Sequence, residues 1–163
     1  MTNPAKVQSS PRYDGSRLML TAMLWLSVGA TFLTTLGLGW YQVSFKLFGV
    51  DASRGDYAMA AGMYGFGALL LALAPAVALL FRLPLGSSVA AAAAFAVLVL
   101  LAAHAADQAS AIPAGSVGDE SWPEGAMFLA LIPWVWALPV LALVGLVTRV
   151  GSGSWDSRST SAT

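Results

Sequence analysis

No charged side chain intervenes between Arg17 and Lys46, and residues 18–43 (LMLTAMLWLSVGATFLTTLGLGWYQV) are almost wholly apolar. A helix rises about 1.5 Å per residue, so this run extends about 39 Å, more than the ~30 Å hydrocarbon core of a bilayer. It reads as a long transmembrane helix that tilts or emerges at one end. A cleaved signal peptide has an apolar stretch of about 7 to 15 residues, so a run of this length ending in Trp40 and Tyr41 is expected to be retained as an anchor.

Three more uncharged runs follow, at residues 57–81, 88–106 and 126–147. Charged residues make up 10% of the chain, against roughly 25% in soluble domains. The expected fold class is therefore all-α: a polytopic four-helix transmembrane bundle. Residues 17–148 form the membrane domain, between disordered tails at 1–16 and 149–163 that are too polar and too rich in Ser, Gly and Pro to pack. The third run, led by alanines, is the least hydrophobic and is expected inside the bundle.

With four spans both termini share a side. Placing them in the cytoplasm puts Lys6, Arg12, Arg17, Arg82, Arg149 and Arg158 inside, against Lys46 and Arg54 outside, which satisfies the positive-inside rule. Trp40, Tyr41, Tyr57 and Trp122 then fall near the outer interface, where amphipathic rings settle. The expected location is the cell membrane. Abundant Ala with only Lys6 and Lys46 as lysines points to a bacterial source of high GC content.

Several chemistries are excluded or disfavoured. The chain has no cysteine, which removes disulfides, thiolate metal ligands and thiol catalysis. A single histidine, His104, rules out bis-histidine haem. No Walker-type loop or nucleophile elbow occurs, because Gly151-Ser152-Gly153-Ser154 lies in the polar tail. With Lys plus Arg equal to Asp plus Glu at 8 each, nothing draws the chain to nucleic acid. No cofactor, metal or enzymatic activity is expected, and the expected partners are the lipid bilayer, other membrane proteins or a second copy.

Four features remain as candidates. His104 and Asp107 stand three apart near the outer end of the third span, share a helix face and can pair; an ionisable group at membrane depth is a functional hypothesis, although His104 can also snorkel to the surface. Ala61, Gly65, Ala68, Ala72 and Ala76 recur every three or four residues and form a small-residue face for helix packing, with Pro75 expected to kink that span. Ser27, Thr31, Thr34, Gly37 and Tyr41 make a small and polar stripe on the first span, read as a helix contact or a hydroxyl-lined path. Trp134 and Trp136 lie near the bilayer middle, point to different faces and flank a proline-loosened backbone at Pro133 and Pro139, where they read as partner or lipid contacts. Asp107, Asp119, Glu120 and Glu124 lack the spacing of a calcium loop and read as a solvated acidic surface. Arg54-Gly55-Asp56 spells an adhesion tripeptide within the expected loop at residues 44–56, a match of the length that chance supplies.

The leading functional expectation is a small non-catalytic integral membrane protein, an accessory or assembly component of a larger complex or a homo-oligomer. The alternative is a small transporter or channel in which His104 and Asp107 respond to protons at the outer mouth.

Overall fold

The computed structural model describes residues 14–44, 52–113 and 122–159, and among them there is no strand. The elements in order are α1 (Asp14–Val43), α2 (Arg54–Leu71), α3 (Leu73–Phe81), α4 (Gly86–Ala111), α5 (Trp122–Ala130), a 3-10 turn (Pro133–Trp136) and α6 (Ala137–Ser159). Four stretches are long and apolar enough to cross a membrane: Gly15–Val43, Arg54–Phe81, Gly86–Ala111 and Pro133–Val150. Residues 45–51 of the expected loop, with Lys46 among them, the acids Asp119 and Glu120, and the tails at 1–13 and 160–163 lie outside the described residues.

Local chemistry sets each boundary. Ser53 caps α2: its hydroxyl accepts from the Asp56 N–H at 3.2 Å, while the Asp56 carboxylate accepts from the Ser53 N–H at 2.7 Å and from its hydroxyl at 2.8 Å. The Arg54-Gly55-Asp56 triplet is thus the first turn of a helix, with Gly55 buried, and the loop ends earlier than expected. Pro75 carries no N–H, so the Leu71 carbonyl loses its usual donor, and the helix yields one turn earlier at Ala72. The break is mild: the Ala72 N–H still donates to the Ala68 carbonyl at 3.0 Å, and α2 and α3 remain one apolar span. At the end of α3, Arg82 adopts a left-handed φ of 52°, and the Leu83 N–H donates back to the Ala78 carbonyl at 2.8 Å. Glycine usually occupies this position. An arginine there places a fixed positive charge against the negative end of the helix, which offsets part of the strain.

The two hairpins run up and down side by side. Helix α2 is the hub, packing against α1, α4 and α5, while α3 packs on α6. Close approach comes at glycines: Gly39 lies against the Tyr64 ring, Gly67 against Thr35, Gly125 against the Met59 carbonyl and Gly145 against Phe81. Such contacts, with buried Leu24, Leu71, Leu98 and Leu138, hold the bundle by close-range dispersion.

Three expectations change here. The third span is neither the least hydrophobic nor inside the bundle: its mean hydropathy of 2.3 is the highest of the four, and 17% of its apolar window is buried, against 44% for the α2–α3 span. One face of α4, with Ala91, Leu98, Ala105 and Ala109, is buried, the helix packing chiefly on α2 and also on α1 and α3, while Val89, Phe95 and Leu100 are exposed. The fourth run is not one helix from residue 126 but breaks into α5, a 3-10 turn and α6. Finally, α6 continues through Ser159, beyond the expected end of the membrane domain.

Candidate functional site

The fourth apolar stretch is interrupted by a break that brings polar groups together, and its cause is Pro133. A residue before proline avoids the helical region, and Ile132 is extended at φ −86°, ψ 115°. The Ile132 N–H donates to the Leu129 carbonyl at 3.1 Å, closing α5, and Pro133 opens the 3-10 turn. Pro139 falls in the first turn of α6, where its missing N–H costs nothing. Ending α5 leaves the Ala130 carbonyl without a helical donor, and the Trp136 indole Nε1–H donates to it at 2.7 Å.

Trp134 turns the other way, donating its Nε1–H to the Thr34 hydroxyl on α1 at 2.9 Å. Between the two rings Val135 is buried with Leu129 and Leu70, and Phe66 meets the Trp136 ring edge-on at 6.4 Å. The two tryptophans thus fasten the break to α1, α2 and α5, with 54% and 44% of their surfaces still exposed to what surrounds the bundle.

On α1 the buried polar face is Ser27, Thr31 and Thr35, spaced by four. Ser27 donates back to the Met23 carbonyl at 2.7 Å, whereas the Thr31 and Thr35 hydroxyls are buried with no hydrogen-bond partner. Thr35 joins the stripe expected from the sequence, as the four-residue spacing from Ser27 through Thr31 requires. Thr34 reaches Trp134, and Gly37 and Tyr41 are exposed.

His104 lines a cleft of about 190 Å³ whose walls include Trp40, Tyr57, Tyr64 and Ser44. The cleft joins α1, α2 and α4 and offers aromatic faces with hydroxyl and imidazole groups, a setting suited to a small polar or cationic group. Asp107 does not line it. Both His104 and Asp107 are exposed on α4, which runs beyond them to Ala111, and among the described residues no hydrogen bond or ion pair joins the two. No three of His, Asp and Glu cluster as a metal requires, again among the described residues.

The small-residue stripe divides. Ala68 is buried in the core, Ala61 and Gly65 open onto a groove between α2, α4 and α5, and Ala72 and Ala76 are exposed. The groove measures about 570 Å³, is apolar along its length, and has Arg54 and Ser110 at its mouth.

No protein-family model, no curated protein and no solved structure matches this chain.

Proposed function

We propose that the protein is a non-catalytic multi-pass component of the cell membrane, with both termini cytoplasmic, that acts as an accessory or assembly subunit of a larger membrane complex or as a homo-oligomer. The observation behind this reading is uneven burial. Only 17% of the membrane window is buried in each of α4 and the last span, so two of the four apolar helices show most of their surface outward. On that outward side of α4, Ala92, Ala96 and Ala103 are exposed at helical spacing, a surface another helix backbone can approach closely. The groups at membrane depth are spent on fastening the fold, as with Trp134 and Trp136, and no nucleophile, acid and base meet among the described residues.

A mild-detergent pull-down of a C-terminally tagged copy, followed by the native mass of the particle, tests the reading. Stoichiometric recovery of another membrane protein or of a defined oligomer is expected; a lone monomer contradicts it. A second reading, a proton-responsive transporter or channel, draws on the place of His104 in the aromatic cleft. It requires His104→Ala to abolish transport at unchanged expression, and unaltered transport in that variant sinks it.

A further inference from the structure

We propose that the groove between α2, α4 and α5 is a binding site for one acyl chain of an anionic phospholipid, whose phosphate rests on Arg54. The groove runs along α2 from Arg54 through Ala58, Ala61 and Gly65 to Phe66 and Leu69, with Ala102, Ala106 and Ala109 of α4 opposite. From Ala58 to Leu69 the helix rises about 16 Å, close to the ~15 Å depth of one bilayer leaflet. The groove therefore starts at the interface and stops near the bilayer middle, as a lipid chain does and as a spanning partner helix does not.

Small side chains on both walls keep the groove open, and Gly65 faces open space, with no atom within 4 Å of where a Cβ would stand.

Charge selects the headgroup. Arg54 lines the mouth, and among the described residues its guanidinium has no hydrogen-bond or ion-pair partner. Its neighbour Asp56 is held by Ser53 in the cap of α2, and the exposed acids Asp107 and Glu124 do not line the groove. A guanidinium beside a lipid phosphate makes a paired, charge-assisted contact. Ser110, whose hydroxyl donates to the Asp107 carbonyl at 2.7 Å, retains its lone pairs for a glycerol hydroxyl. The site depends on the helices lying in a bilayer but not on the accessory role.

The test is lipid retention by the full-length chain. Delipidated protein in mild detergent is given phosphatidylglycerol or phosphatidylcholine of the same chain length, and bound copies are counted by native mass spectrometry. The wild type is expected to hold one phosphatidylglycerol per chain, about tenfold tighter than phosphatidylcholine. Arg54→Gln should bring the two lipids to parity, with Arg54→Lys restoring most of the preference. Gly65→Leu, which fills open space, should abolish retention of both while helix content and melting stay unchanged. Equal binding of both lipids by the wild type, or full retention by Gly65→Leu, overturns the proposal. So does a protein mass in place of the lipid. The accessory role can fail in the pull-down while this site stands, and the reverse also holds.

Discussion

Trp136→Phe is expected to destabilise the bundle by about 2 kcal/mol, while Trp134→Phe costs about 0.6 kcal/mol. Both substitutions keep an aromatic ring and remove one indole N–H, so the difference lies in what each donor leaves behind. The Trp136 indole serves the Ala130 carbonyl, an orphan of the break at Pro133. With the bundle in a bilayer, as proposed, its loss strands a backbone acceptor where no water substitutes and an unsatisfied group is costly. Phe at that position keeps the edge contact with Phe66 but supplies no donor. Trp134 instead donates to the Thr34 hydroxyl, which can turn back to a carbonyl of its own helix once released. Unfolding of the two variants in mixed micelles, followed by circular dichroism, reads the difference; equal losses would mean that the indole of Trp136 does not hold the break.

Gly125→Val is expected to cost about 3 kcal/mol and to loosen α5 from α2. A Cβ built on Gly125 runs into the carbonyl of Met59, so backbone meets backbone and no rotamer change relieves the clash. Since α5 has only 9 residues, it is too short to persist without that packing. The matched control is Gly29→Ala, where a Cβ meets nothing within 4 Å; there the gain in helix propensity should raise stability by about 0.5 to 1 kcal/mol. Thermal unfolding of both in the same detergent measures the contrast.

These two sites mark where the sequence is legible and where it is not. Span existence is a sum over many residues, and the uncharged runs at 18–43 and 57–81 reappear within Gly15–Val43 and Arg54–Phe81. Breaks are harder to place, because apolarity continues through residues 126–147 while the backbone does not. Pro75 and Pro133 both signal a break, but the outcomes differ: Ala72 stays in the helical region, whereas Ile132 turns extended and separates α5 from α6.

Which residues touch is a tertiary matter. The stripe from Ala61 to Ala76 is visible as a pattern, yet the glycines that meet a neighbour closely, such as Gly67 and Gly125, are found only once α1 and α5 are in place. The cap of α2 is legible, since Ser53 precedes Asp56 by three as a capping box requires, although the glycine and mixed charges of Arg54-Gly55-Asp56 equally suit a loop. For the His104 cleft the sequence supplies the residue and the fold supplies Trp40, Tyr57 and Tyr64 from two other helices. The groove could not be anticipated, because its two walls lie some forty residues apart in the chain.

Four membrane crossings with the termini on one side are the central claim, and single-cysteine labelling tests it most directly, because the chain has no cysteine of its own. Ser87 is buried, so the turn between α3 and α4 is better probed at Leu85, which is 66% exposed. Cysteines at Asn3, Leu85 and Ser121 are each challenged with a membrane-impermeant maleimide in intact and permeabilised cells. Four spans with cytoplasmic termini predict that position 121 labels in intact cells and that positions 3 and 85 label only after permeabilisation; labelling of 85 together with 121 in intact cells would contradict the account.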